Sequence, residues 1–211
     1  MKGIFYGIGI GPGDPEHITL KAVRMMKEVD VIAAPGTDVK ETLAYRIAVQ
    51  AVPEIEQKEM LPIDMPMTMD KELLLKAHKS GAETIEKVLA EGKSLGFITL
   101  GDTTVYSTFS YLEKIVKNHG FETVYISGIT SFCAAAASIG IPLTEWQEPL
   151  HVIPAVHQLD DKLALDGSYV LMKSGRQMPK VKEILKASGR KVNMVENCGL
   201  PNENKYYSVE E

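Results

Sequence analysis

Apolar residues recur along the chain in two alternating rhythms. Short continuous runs at residues 3–8, 30–34, 94–100 and 122–126 have the length and composition of buried strands. Between them lie longer stretches in which apolar residues return every three or four positions. In residues 17–29, Ile18, Leu20, Val23, Met26 and Val29 hold much of one face. The pattern predicts helices over residues 17–29, 40–52, 73–90, 110–118 and 130–139, with Pro53, Glu91-Gly92 and His119-Gly120 as stops. A short strand over 58–61 and a connector over 62–67 complete this part. Strands that alternate with helices this regularly imply an α/β fold with a mostly parallel sheet covered on both faces.

Residues 141–149 (IPLTEWQEP) break the rhythm with two prolines and mixed polarity. They predict a boundary: a first α/β domain over 1–141, a linker over 142–149 and a second α/β domain over 150–211. Trp146 in the linker is expected to pack between domains, with substrate stacking as the alternative. The second domain reads as strand 150–154, helix 157–165, strand 168–173, helix 178–187 and strand 191–196, followed by a polar tail. Three strands make its sheet small or incomplete.

The composition narrows the class. The chain has 211 residues, 45% of them hydrophobic and 24% charged, which is enough for real cores and ordinary for a globular protein. The net charge of -5 and the lack of a basic run interleaved with aromatics argue against a nucleic-acid partner. Cys133 and Cys198 stand far apart with no CxxC, which points to a reducing compartment rather than a disulfide or zinc site. Met1-Lys2 leads straight into a strand, and no apolar run approaches the roughly 18 residues that span a bilayer. A cytoplasmic protein with no membrane partner is expected. Of the remaining histidines, His78 and His119 are expected to lie exposed on helices. His151 and His157 flank Pro154 six residues apart, and no metal site is expected.

Three glycine-bearing loops would sit at the carboxyl ends of the first domain's strands, where open parallel sheets bind ligands. The first is GIGIGPGDP, residues 7–15. It is not a dinucleotide fingerprint, because position 14 is Asp where a third glycine is required, and the second strand ends in Ala33-Ala34-Pro35-Gly36 with no acid for a ribose hydroxyl. Taken by itself it fits a rigid structural turn or a ligand cradle. The second loop is LGDTTVYS, residues 100–107, and the third is SGITS, residues 127–131. Any one of them could be a cap or turn. Converging on one sheet edge, they suggest a small-molecule cleft. The alanines at 134–137 let their helix pack close to a neighbour.

The ordered set GxGPGDP, GD-x-x-x-Y-S and G-I-T-S with an alanine-rich helix resembles the tetrapyrrole (corrin) methyltransferases. The strings GPGDPEHITLKAVR, GFITLGDTTVYSTFSYL, GITSFCAAAASIGIPL and ENCGLPNE are most similar to the branch that methylates C20 of precorrin-2 or cobalt-factor II. The resemblance implies a two-domain α/β enzyme, a homodimer, with S-adenosylmethionine between the domains and an anionic tetrapyrrole as substrate. Carried over by residue, it implies that Gly101, Asp102 and Thr103 line the cofactor largely through backbone, with Tyr106 and Ser107 flanking it. Thr130 and Ser131 would hold its methionine end and Met172 would contact adenosine. Gly11, Pro12, Gly13 and Asp14 would face the tetrapyrrole. Thr103 stands where many relatives have proline, and the chain stops at Glu211 where relatives are expected to continue with further strands.

Methyl transfer from a sulfonium needs an in-line carbon nucleophile more than a strong base. A base could take the meso proton afterwards; Asp14, His17 and Tyr106 are candidates by position. The competing readings are a surface helix start for His17, a turn or helix cap for Asp14 and a turn-stabilising acceptor for Asp102. An acidic protein that binds a polycarboxylate needs a local basic rim, with Lys21, Arg24, Arg46, Lys173 and Arg176 as candidates. The competing functions are another tetrapyrrole methylase such as the uroporphyrinogen-III enzyme, a diphthine synthase-like enzyme, a nicotinamide oxidoreductase and a tetrapyrrole or cobalt carrier.

Overall fold

The computed structural model describes residues 2–66, Thr68, residues 70–155 and residues 163–211, the side chain of Arg176 excepted. The chain divides into two compact units, Met1–Ser131 and Phe132–Glu211. This division falls ahead of the expected linker at 142–149.

The first unit is built on a five-stranded sheet in the order β3-β2-β4-β1-β5. Its strands are β1 (Ile4–Gly9), β2 (Val31–Pro35), β3 (Glu59–Ile63), β4 (Leu95–Thr99) and β5 (Glu122–Ile126). Every pairing in it is parallel. The sheet is covered by α1 (Leu20–Glu28), α2 (Leu43–Ala51), α3 (Lys71–Ala90) and α4 (Phe109–Asn118). The first helix starts three residues later than the apolar spacing suggests. Asp14 caps a short 3-10 turn over Pro15–His17, and the Thr19 hydroxyl then accepts the Ala22 N–H as the true N-cap of α1. Thr42 and Asp70 cap α2 and α3 in the same way.

Phe5, Phe97 and Phe109 are fully buried and anchor one layer of the core. The Phe5 and Phe109 rings lie 4.9 Å apart. Gly7 runs directly beneath Phe109, so that a Cβ there would come within 2.5 Å of the ring. Glu113 on α4 is a buried carboxylate. It accepts the hydroxyls of Thr123 at 2.8 Å and Tyr125 at 3.3 Å, and lies 3.6 Å from Lys117. Burial, reinforced by Glu113, pushes the Tyr125 phenol above its ordinary range. At one sheet edge, β3 carries Pro62 within the strand. His78 is half-buried and stacks on Tyr111 at 4.9 Å, which corrects the expectation of an exposed ring.

The second unit is thinner. It contains most of α5 (Ser131–Ser138), a parallel pair β6 (Leu150–Pro154) and β7 (Ser168–Met172), α6 (Met178–Ser188) and an antiparallel pair β8 (Met194–Glu196) and β9 (Asn204–Tyr206). The strand expected at 191–196 shortens to its last three residues. It pairs with the polar tail instead of joining β6 and β7. A small cluster of Ala155, Leu163 and Val181 packs with Tyr169, Leu171, Ile184 and Leu185. Arg190 compensates for this small core. Its guanidinium donates to the carbonyls of Leu163, Leu165 and Gly167 at 3.4, 3.0 and 3.1 Å and lies over the Tyr169 ring. The helix expected at 157–165, with His157, lies mostly outside the described residues. Trp146 is wholly exposed, which overturns its expected packing role.

Replacing Phe109 by Ala should lower the unfolding free energy by about 3–5 kcal/mol, because the site is enclosed by other rings and cannot collapse. A urea titration measures this. A loss below about 1 kcal/mol would contradict the aromatic anchor.

Candidate functional site

The sheet order sets β1 between β4 and β5, so their three carboxyl ends are neighbours. The loops that leave those ends touch one another through backbone. The Ile10 N–H donates to the Thr99 carbonyl at 3.1 Å. Gly11 and Gly101 form a short antiparallel bridge, with N···O distances of 3.3 and 2.8 Å. Both glycines have left-handed backbone, at φ 75° and 70°. A Cβ on Gly9 would sit 2.7 Å from the Gly101 carbonyl oxygen and 2.7 Å from the Gly128 nitrogen. A Cβ on Gly128 would sit 2.2 Å from that same oxygen. Gly9 and Gly128 are therefore needed for closure between loops, whatever else binds there.

Side chains then lock the junction. Asp102 is buried, at 7% exposure. One of its oxygens accepts both the N–H of Thr104, at 2.7 Å, and the Thr104 hydroxyl. Its other oxygen accepts the Gly128 N–H at 2.8 Å. The carboxylate thus ties the second loop to the third and behaves as the turn-stabilising acceptor. Thr103 is completely buried and donates its hydroxyl to the Ile126 carbonyl at 3.3 Å. The Ser107 hydroxyl bonds to Thr99 and accepts the Phe109 N–H at 3.3 Å. Thr19 reaches from the start of α1 to the Ser127 carbonyl at 3.3 Å.

Asp14 accepts the Glu16 N–H at 2.8 Å, as a cap does. Pro12 is half-buried and Gly13 buried between Gly11 and that cap. Tyr106 is 44% exposed and held at φ 50°. Thr130 keeps its hydroxyl oxygen away from solvent with no hydrogen-bond partner, and Ser131 opens α5. Gly101 is buried, and a Cβ on it would make only ordinary contacts, 3.9 Å from the Ser131 nitrogen and 4.0 Å from the Ile129 carbonyl oxygen. Met172 ends β7 in the second unit, where its carbonyl accepts the Ala155 N–H at 2.8 Å.

His17 differs from its surface reading. It is half-buried, its Cβ lies against Gly11, and its Nδ1 is shut from solvent without a partner. Arg24 pairs with Glu28 at 3.4 Å on an exposed face of α1. Lys21, Arg46 and Lys173 are exposed, and the Arg176 side chain lies outside the described residues. The sequence reading missed the Asp102–Gly128 tie and the enclosed His17 nitrogen. The Asp-Thr-Thr run was a signal for the local turn, but nothing local signals a bond across 26 residues. Among the described residues, no three metal-ligating side chains converge, and no helix is long and apolar enough to cross a membrane.

The model of the family described as Tetrapyrrole (Corrin/Porphyrin) Methylases matches residues 5–211. The chain belongs to that family. Membership makes it a methyl-transferring enzyme and sets aside the oxidoreductase and carrier readings. It is 38% identical, over 170 residues, to the probable cobalt-precorrin-2 C(20)-methyltransferase of Methanocaldococcus jannaschii, covering 80% of this chain and 71% of that protein. It is 31% identical, over 199 residues, to the precorrin-2 C(20)-methyltransferase of a Sinorhizobium species, covering 89% and 80%. Among solved structures, the uroporphyrin-III C-methyltransferase of Thermus thermophilus complexed with S-adenosylhomocysteine superposes with a TM-score of 0.68 at 23% identity, covering 98% of this chain and 88% of that one. That likeness establishes the tetrapyrrole methylase fold.

Replacing Asp102 by Asn puts an N–H₂ group where an acceptor must meet Gly128 or Thr104. A loss of about 1–3 kcal/mol in unfolding free energy is expected. Gly128→Ala should destabilise as well, because its Cβ has only backbone to displace. Unchanged denaturation midpoints for both variants would contradict closure of the loops.

Proposed function

We propose that the protein methylates C20 of precorrin-2 or cobalt-factor II in cobalamin synthesis, with S-adenosylmethionine as donor. Three things support this: the C20-methyltransferase names of its relatives, the four motif strings, and the polar inventory of the sheet edge. The inventory carries the site assignment. Asp102, Thr103 and Ser107 have their side-chain groups engaged within the protein, so each has only backbone to offer a ligand. The Thr130 hydroxyl is enclosed and unpartnered, and the Cβ position of Gly101 lies within 4 Å of the backbone of Ile129 and Ser131 on the third loop. This is a fitting set for a zwitterionic ligand held by main chain and one hydroxyl.

S-adenosylmethionine supplies an activated methyl group on a sulfonium. Gly101, Asp102 and Thr103 would hold it by backbone groups, flanked by Tyr106 and Ser107. Thr130 and Ser131 would bind its methionine end, and Met172 its adenosine. Gly11, Pro12, Gly13 and Asp14 form the rigid turn that faces the tetrapyrrole. Holding the acceptor carbon in line is the main demand, and a turn stiffened by Pro12 and Pro15 suits it. Asp102 is not the base, because both its oxygens are engaged. Asp14, His17 and Tyr106 stay as candidates for receiving the meso proton. Arg24 and Arg176 belong to the basic rim in this proposal. The exposed Arg24–Glu28 pair is weak enough to yield to a substrate carboxylate. A cytoplasmic homodimer completes the proposal, on the family resemblance, and sedimentation tests the dimer.

Mass spectrometry of products from cobalt-loaded and metal-free precursors, with the new methyl located on its carbon, tests the reaction. A methyl at any carbon other than C20 overturns the assignment. Thr130→Ala should weaken S-adenosylhomocysteine binding about 5- to 10-fold by calorimetry, the worth of one buried hydrogen bond. Neutralising Arg24 and Arg176 together should raise the KM for the tetrapyrrole several-fold, more so at low salt. An unchanged KM rejects the basic rim.

A further inference from the structure

The ENCGLPNE stretch helped to mark the branch, yet no step above uses it. In the structure it forms the turn between β8 and β9, and that hairpin grips the far end of α5. The Ser138 hydroxyl, at the last residue of α5, donates to one oxygen of Glu203 at 2.5 Å. The Ser138 carbonyl accepts the Lys205 ammonium at 2.7 Å, and Lys205 lies 3.2 Å from Glu203. The second Glu203 oxygen accepts the Gly199 N–H at 2.7 Å.

The turn that presents these groups is stiff. Asn197 and Gly199 are left-handed at φ 54° and 77°, and Leu200 and Glu203 donate back to the carbonyls of Asn197 and Leu200 at 2.9 and 3.0 Å. The Glu196 carboxylate accepts from Asn204 and Tyr206 across the ladder. Ser138, then Gly199, then Lys205 hold the Glu203 carboxyl at about 2, far below the ordinary range. It is charged at neutral pH.

α5 needs such a grip. It has 8 residues, against the roughly 12–15 an isolated helix needs to be even marginally stable. Its buried side chains are Ala134 and Ala136, which offer little apolar area. A carbonyl at a helix C-terminus has no partner within the helix and favours a cation. Lys205 supplies that cation, and also balances the carboxylate that would otherwise oppose the helix dipole.

We infer that the β8–β9 hairpin anchors α5 and thereby holds the Thr130–Ser131 turn in its ligand-holding conformation, with Glu203 and Lys205 as positioning residues. The inference rests on the proposed function for what that turn holds. Neither residue touches the reacting atoms.

The test uses the full chain with Glu203→Ala, Lys205→Met and Lys205→Arg. Calorimetry reads S-adenosylhomocysteine affinity, and hydrogen exchange reads order in residues 132–138 and in β1, β4 and β5. Glu203→Ala and Lys205→Met should each weaken affinity about 5- to 10-fold, one charge-assisted hydrogen bond's worth, and speed exchange in 132–138. Exchange in β1, β4 and β5 should not change, and Lys205→Arg should bind within about twofold of wild type. If Glu203→Ala fails to fold, the two Lys205 variants carry the comparison. Unchanged affinity in folded variants, or unchanged exchange in 132–138, overturns this inference alone. A wild-type chain that binds no S-adenosylhomocysteine overturns the functional reading, and this inference with it.

Discussion

The close approach of three backbones at one sheet edge is the constraint on which the rest depends. Gly9 and Gly128 meet the Gly101 carbonyl at distances that leave neither of them room for a side chain. The glycines reduce the steric cost of the approach but add nothing to hold it. Asp102 does the holding, by accepting from both neighbouring loops while buried. Among the described residues, no cation is a hydrogen-bond partner of Asp102. Its charge is met by N–H and O–H donors, which is the condition under which a buried carboxylate is tolerable.

That arrangement explains the character of the site. Most polar side chains at the edge are consumed in holding the edge together. The Thr130 hydroxyl and the His17 Nδ1 stay enclosed without a partner, and Tyr106 is exposed. A site of this composition is poor in acid–base machinery and good at fixing a ligand in one pose. Methyl transfer from a pre-activated donor asks for that combination, since the barrier is lowered mainly by alignment.

Much of the first unit was legible in the pattern of apolar residues. The strand at 122–126 falls where its run begins and ends, as does the strand at 150–154 in the second unit. The start of α1 was not legible, because Asp14 and Thr19 both look like caps and only packing shows that each is used, one for a 3-10 turn and one for the helix. β9 was hidden because Asn204 to Tyr206 are polar and belong to a strand with little to bury. The three loops were legible from their glycines. What the glycines were for was not: a sequence shows that a residue lacks a side chain, not which carbonyl lies where one would have been. His17 and Trp146 failed in opposite directions. Of the two readings offered for His17, the surface helix start gives way to a partly enclosed ring, while the Trp146 indole, expected to pack, stands wholly in solvent.

The rim formed by β3 has a consequence of another kind. A parallel sheet that ends in an open strand offers its free amides and carbonyls to any extended chain nearby. Pro62 lies within that strand and has no amide hydrogen, so a foreign strand laid against β3 would meet a gap in the ladder. The same proline that β3 accommodates within its own pairing to β2 makes this side a poor template for amyloid-like growth.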